Sequence, residues 1–123
     1  MAEVSSRNRQ LLAQSARRAL ELFRVRIAAG PVAIPQIQES VLAQLEWLTD
    51  FAEGRNEERA RLGQIMFGLY VGKEEIDPSD RELNDALSKA FYAATIYGRG
   101  LKIDPNAVSP MPPNTSLERT RER

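Results

Sequence analysis

The sequence contains no cysteine and no histidine. Without cysteine, disulfide bonds, thiolate nucleophiles and zinc-finger sites are excluded. Without histidine, the chain lacks the commonest general base, the commonest transition-metal ligand and every catalytic triad that depends on imidazole. Only carboxylate, lysine, serine, threonine or tyrosine chemistry is left for an enzyme. These absences disfavour catalysis, and we expect no metal ion and no other cofactor.

Long apolar runs are also missing. No stretch approaches the roughly 18 consecutive apolar residues of a membrane-spanning helix. The first residues carry charges throughout, unlike the apolar core of a secretory signal. We therefore expect a cytoplasmic protein without a membrane partner. With 123 residues and 42% apolar content, the chain is predicted to form one domain with a modest core.

The charges cancel overall, but they are unevenly distributed. Residues 73–85, called the acidic segment below, hold six carboxylates against two cations, which predicts a surface for a basic partner. Residues 1–26 hold six arginines against two glutamates. We interpret this basic stretch as a solvated helix face, or as one that pairs with the acidic segment. Nucleic acid is disfavoured, since the net charge is zero and no binding motif is present.

Two long helices are predicted in the first half of the chain. Apolar residues recur at helical spacing over residues 6–29, until Gly30 and Pro31 end the run. A second run begins near Pro35 and ends at Gly54. The residues predicted to face the core are Leu12, Ala16, Ala19, Leu20, Phe23 and Ile27 in the first helix and Ile37, Val41, Leu45, Leu48 and Phe51 in the second.

A third helix is predicted from a cap at Asn56 to about residue 72. Its predicted apolar side consists of Leu62, Ile65, Met66, Leu69 and Tyr70. Gly63, Gly68 and Gly72 are unfavourable inside a helix, which indicates close packing against a neighbouring backbone, a local break, or both. We favour close packing.

The fourth helix is predicted to begin with Asp77 as N-cap and Pro78 at the first helical position. Its predicted buried stripe consists of Leu83, Leu87, Ala90, Phe91, Ala94 and Tyr97. Since no segment alternates with the period of a strand, the fold class is all-α, a compact bundle of about four helices. Residues 1–104 form the predicted helical domain, and the proline-rich residues 105–123 are predicted to be a disordered tail.

One group of carboxylates would suit an enzyme. Glu82 and Asp85 lie one helical turn apart, and Glu57 and Glu58 lie on the preceding predicted helix, a layout similar to the magnesium site of all-α nucleotide pyrophosphohydrolases. That family's pattern needs a further acid where this chain has Ala60 and Arg61. A solvated helix face is the more ordinary explanation of such a run, so this alternative is the least favoured.

Four blocks of sequence carry a resemblance to a known family. They are LGQI at 62–65, EEIDPSD at 74–80, EL at 82–83 with ALSK at 86–89, and YGRGLK at 97–102. Their order and spacing resemble a family of small bacterial immunity proteins, whose best-known members neutralise a type VI secretion effector that hydrolyses NAD(P)+. The similarity covers residues 62–104 most clearly and continues weakly through the second helix.

The resemblance implies a binding protein that holds the catalytic domain of a cognate toxin and keeps NAD(P)+ out of its active site. An acidic surface would complement the basic surroundings of a pocket for a phosphate-bearing dinucleotide. The predicted contact residues are Glu74, Glu75, Asp77, Asp80, Gln44 and Trp47. The alternative for Glu74 and Glu75 is a solvated acidic loop. The alternative for Asp77 is the N-cap of the fourth helix. A helical adaptor or homodimeric scaffold remains the main alternative function.

Overall fold

The computed structural model describes residues 2–110. Four α-helices and two 3₁₀ turns occur there, and none of these residues forms a strand, which confirms the predicted all-α class. The helices are α1 (Ala2–Ala29), α2 (Pro35–Ala52), α3 (Phe67–Gly72) and α4 (Arg81–Gly98), and the 3₁₀ turns are Arg59–Gln64 and Pro105–Val108.

Helix α1 is the central element, because it packs against both α2 and α4, while the short α3 bridges α2 and α4. Most of the core predicted for the three long helices is buried, and Ile27, Ile37 and Phe91 are half-exposed. The largest fully buried side chains of the three long helices are Leu12, Phe23, Val41, Leu45, Leu48, Leu83 and Leu87. Spacings of three, four and eleven residues place the side chains of each helix on one face.

The region predicted as one third helix is divided into two pieces. The 3₁₀ turn Arg59–Gln64 ends before Ile65, and α3 begins only at Phe67. Asn56 accepts a hydrogen bond from the Glu58 N–H and caps a turn, not a helix. The break changes which side chains face inward: Phe67 is fully buried, whereas Met66 is 40% exposed. The predicted apolar side of this region was therefore wrong at Met66 and at Leu69, which is 52% exposed.

A local break separates the 3₁₀ turn from α3, and close packing occurs at one of the three glycines. Gly68 is the close approach, since a Cβ atom there would overlap the aromatic ring of Phe91 from α4. The close neighbour is a side chain and not the backbone that the sequence suggested. Gly63 and Gly72 have open space where a Cβ would lie. Phe91 itself is half-buried, so its predicted place in the buried stripe of α4 is corrected.

Helix α4 begins three residues later than the sequence predicted. Its N-cap is Asp80, whose carboxylate accepts the Leu83 N–H at 3.1 Å. Asp77 instead accepts bonds from the backbone and hydroxyl of Ser79, at 3.1 and 2.7 Å, within a local turn. Proline preorganises a turn as readily as a first helical residue, so Asp-Pro alone did not distinguish the two.

The chain after α4 returns across α1. Ile103 is fully buried, and the 3₁₀ turn Pro105–Val108 packs against α4 and α1. Lys89 Nζ donates to the Ser109 carbonyl at 2.5 Å. Residues 105–110 therefore accompany the helical body, although the sequence assigned them to the tail. The rest of that predicted tail, residues 111–123, lies outside the described residues.

Candidate partner-binding surface

The acidic segment starts with the turn that ends α3. The Glu75 N–H donates to the Tyr70 carbonyl at 2.9 Å, and the Glu74 N–H donates to the Val71 carbonyl at 3.0 Å. These two bonds form a Schellman cap, whose left-handed position is usually occupied by glycine. Here that position is Glu74, with φ of 60°. A side chain in this conformation costs about 1–2 kcal/mol, so the turn carries local strain.

This turn is anchored on its far side. Ile76 is fully buried, and the Asp77 N–H donates to the Val32 carbonyl, in the loop between α1 and α2, at 2.7 Å. Glu74 and Glu75 stay exposed between the two anchors. Neither carboxylate forms an ion pair within the part of the chain that the structure describes. Both acids are therefore presented to solvent from a fixed backbone.

Asp80 lies in a different environment from Glu74 and Glu75. Its side chain is only 13% exposed, and Arg26 Nε lies 2.6 Å from its Oδ2 atom. The same guanidinium contacts Glu82 at 2.9 Å, and Arg18 lies 3.6 Å from Glu82. The hydrogen bond to Asp80, supported by the one to Glu82, raises the pKa of Arg26 despite partial desolvation. Part of the basic face of α1 thus pairs with the acidic segment, as the sequence suggested.

Gln44 connects α2 to the start of α3. Its Oε1 atom accepts the backbone N–H groups of Met66 and Phe67 at 2.7 and 3.1 Å, while its Nε2 donates to Ser40 at 2.9 Å. The first N–H groups of a helix have no partner within the helix, and Gln44 supplies one from outside. Its side chain therefore positions the chain break that exposes Met66.

Trp47 is half-buried and belongs to a small surface cluster. Its ring stacks on Phe51 with centroids 5.4 Å apart, and the Arg61 guanidinium lies 5.1 Å from the Trp47 ring centre. The indole N–H donates to Glu58 Oε1 at 3.1 Å, and Arg61 pairs with the same carboxylate oxygen. The ring is thus an aromatic at the edge of the core, held in one orientation by its neighbours.

The described carboxylates do not assemble the site that the pyrophosphohydrolase alternative requires. Glu58 is engaged by Trp47 and Arg61, Glu82 by two arginines of α1, and Asp85 by Lys89 at 2.9 Å. Over residues 2–110, no three acidic side chains form a group that could hold a metal ion. Three of the four acids of that alternative, Glu58, Glu82 and Asp85, are therefore paired with a nearby cation.

A groove that the sequence did not reveal lies between the 3₁₀ turn Arg59–Gln64 and the last half of α4. Its volume is about 700 Å³. The residues that line it are Arg59, Ala60, Leu62, Gly63, Ile65, Phe91, Ala94, Thr95, Gly98 and Arg99. Two of the sequence blocks that carry the family resemblance, at 62–65 and 97–102, meet here. The only signal of this groove in the sequence is that Gly63 and Gly98, which have no side chains, occur close to Arg59 and Arg99.

A helical body with a fixed acidic turn, exposed apolar residues and an open groove has the features that suit a protein-binding module. The sequence comparisons place that module in a family. The family model Tsi6 matches residues 12–96. The chain is also 34% identical over 87 residues to the "Immune protein Tsi6" of Pseudomonas aeruginosa, covering 71% of this chain and 89% of the relative.

The chain therefore belongs to the Tsi6 family, which confirms the resemblance found in the sequence to a family of immunity proteins. No solved structure matched the fold. Among the described helices, none combines the length and the apolar content needed to cross a membrane.

Proposed function

We propose that this protein is an immunity protein that binds the catalytic domain of a cognate type VI secretion effector and blocks its active site. The observation that carries the proposal is the 34% identity to a protein named as an immune protein, over 89% of that protein's length. The effector hydrolyses NAD(P)+, and the binding takes place in the cytoplasm, where this substrate is found. The action is binding and not catalysis.

The proposed contact surface is centred on Glu74 and Glu75. Both carboxylates are exposed and held on a fixed backbone, so little order has to be gained when a partner binds. Asp77 lies next to them and is exposed as well. Leu69 in α3 and Met66 directly before this helix add exposed apolar area, which suits the centre of a protein interface.

Three residues of the predicted contact set have a structural task as well. Asp80 is paired with Arg26 and caps α4, so we assign it to positioning the acidic segment. Gln44 positions the start of α3 in the same way. Trp47 is half-buried, with Phe51 stacked on its ring and Arg61 over it, and we propose that its exposed part contacts the toxin.

The first experiment is a pull-down of the tagged protein from its native host, with mass spectrometry of what remains bound after a high-salt wash. A co-purifying toxin domain whose NAD(P)+ hydrolysis stops when this protein is added would support the proposal. Recovery of the protein alone, or of a toxin domain that stays active in the complex, would overturn it.

The contact surface is tested by calorimetry with the captured toxin domain. We expect Glu74→Lys combined with Glu75→Lys to weaken binding by at least about tenfold, because both substitutions place a cation opposite the basic toxin surface. The matched control is Glu39→Lys with Glu57→Lys, which makes the same change of net charge at exposed positions outside the surface. Equal affinities of the two double variants would remove the acidic segment from the interface.

One observation favours the alternative of a homodimeric scaffold. Val25 and Ile34 are 61% and 59% exposed, near the end of α1 and the start of α2. A second copy could cover such side chains. Light scattering decides between the two functions: a stable dimer without toxin would favour the scaffold, and a monomer that becomes a heterodimer on addition of the toxin domain would favour immunity.

A further inference from the structure

The groove beside α4 differs in charge from the rest of the proposed interface. Its lining contains two arginines, Arg59 and Arg99, and no carboxylate. The chain as a whole is electrically neutral, and the neighbouring acidic segment is strongly negative. The groove is therefore cationic, in contrast to the acidic segment.

The two arginines differ in how firmly the protein holds their guanidinium groups. Arg59 is fixed, since its Nη2 atom donates to the Tyr97 carbonyl at 2.7 Å and its guanidinium lies 4.8 Å from the Tyr97 ring centre. A guanidinium carries five N–H donors, so this one bond leaves others for a ligand. Arg99 is exposed and makes neither an ion pair nor a side-chain hydrogen bond to any residue between 2 and 110.

The surface between these cations is apolar. Phe91, Leu62 and Ile65 line the groove together with Ala94, and only Thr95 adds a hydroxyl. Gly63 and Gly98 widen it, because neither carries a side chain; at Gly63 a Cβ atom would have no neighbour within 4 Å. Such a site fits an apolar side chain whose chain neighbour is a carboxylate, which can be bound by a guanidinium in a bidentate manner.

We propose that this groove binds a segment of the toxin domain that carries a large apolar side chain beside a carboxylate. This inference rests on the proposed function, since it names the toxin as the occupant. The partner must then present basic groups to Glu74 and Glu75 and an acidic group to Arg99. Two patches of opposite sign reject wrong partners better than one, because a toxin with only one matching patch brings like charges together at the other.

The main test fills the groove without disturbing the fold. Gly63→Leu places a side chain in the open space of the groove, and its control is Gln14→Leu, which adds the same side chain at an exposed position of α1 outside the groove and the acidic segment. With the toxin domain captured by this protein, we expect calorimetry to give a dissociation constant raised at least about tenfold by Gly63→Leu and changed little by the control.

A second pair of variants tests the charge. Arg99→Gln should weaken toxin binding about tenfold and reduce its dependence on salt, whereas Lys102→Gln, an exposed cation outside the groove, should leave both unchanged. Thermal melting of every variant shows whether it is folded. Because the groove-filling pair and the charge pair are independent, either pair tests the proposal if a variant of the other pair misfolds.

The outcomes separate this inference from the proposed function. If the wild-type protein binds the toxin and both groove variants bind equally well, the groove assignment is overturned and the immunity function stands. If the wild-type protein binds no toxin domain, both are overturned. A last experiment titrates the protein with NAD+ alone and follows the amide resonances of Gly63 and Gly98 by NMR. Saturable shifts of these resonances would overturn the proposed occupant, because they would show that the groove binds a nucleotide and not a protein segment.

Discussion

Asn8 and Ile103, 95 residues apart in sequence, are joined by a buried hydrogen bond of 3.0 Å from the Ile103 N–H to Asn8 Oδ1. The other end of the same amide donates to the Leu101 carbonyl at 2.8 Å. A side chain of α1 thus binds the backbone that follows α4 on two sides. This pairing keeps the returning chain on α1 where no strand or helix could supply partners for its backbone.

Replacing Asn8 by Leu should destabilise the protein by about 2–3 kcal/mol, because it leaves the buried N–H of Ile103 without an acceptor. Urea unfolding gives the change in free energy. Hydrogen exchange should also show early loss of protection at the Ile103 amide. The exposed neighbour Lys102 provides the control, since Lys102→Ala should be nearly neutral. Unchanged protection at Ile103 would contradict the role of Asn8.

The glycines of α3 should respond in opposite directions. Gly68→Ala should cost about 1–3 kcal/mol, since the new methyl group overlaps the Phe91 ring. Gly72→Ala should raise stability by up to about 1 kcal/mol, because the space is open and alanine restricts the unfolded chain. Thermal unfolding of both variants measures this difference. Equal effects would mean that Phe91 moves away freely.

The start of α4 can be tested with two aspartates. Asp80→Ala should lower stability by about 2 kcal/mol, since it removes both the N-cap and the partner of Arg26. Asp77→Ala should cost well under that, about 0.5 kcal/mol, because only an exposed turn is lost. Chemical denaturation ranks the two. The reverse order would restore Asp77 as the cap predicted from the sequence.

Glu74 should show a conflict between stability and binding. Glu74→Gly should raise the free energy of unfolding by about 1 kcal/mol, because glycine adopts the left-handed conformation without strain. If Glu74 contacts the toxin, the same variant should bind it more weakly. Urea unfolding and calorimetry on one preparation give both quantities. A variant that is less stable than the wild type would show that the strain is small.

The pH dependence of stability should include a contribution from Glu53. Hydrogen bonds from Arg17, and then from Arg55, hold the pKa of Glu53 below its ordinary value of 4.5. The unfolded chain therefore binds this proton first, so the ion pairs contribute fully above pH 4.5 and are lost as the pH falls through the lowered pKa.

In urea unfolding between about pH 6 and pH 3, Glu53→Gln should flatten this decline, and added salt should reduce the difference because the pairs are exposed. Glu39→Gln, at an exposed position, is the control and should follow the wild-type curve. Identical curves for Glu53→Gln and the wild type would show that these ion pairs contribute nothing measurable.

The sequence by itself determined the helical class, the long helices and their buried faces. Spacings of three and four residues along α1, α2 and α4 place Leu12, Leu45 and Leu87 in the core whatever their partners are, since helix geometry alone sets the face. Family membership also followed from the order of four short blocks. The opposite charges of α1 and the acidic segment were visible too, but the sequence left their pairing as one of two explanations, and only the structure decided that Arg26 binds Asp80.

Only the tertiary structure decided the details between residues 54 and 80. Gln44 accepts the N–H groups of Met66 and Phe67, so a side chain on α2 sets where α3 begins and exposes Met66. The groove exists because the 3₁₀ turn and α4 pass each other with Gly63 between them. Contacts between residues far apart in sequence outweigh local propensity in such short segments, because one helical turn has too few internal hydrogen bonds to determine its own ends.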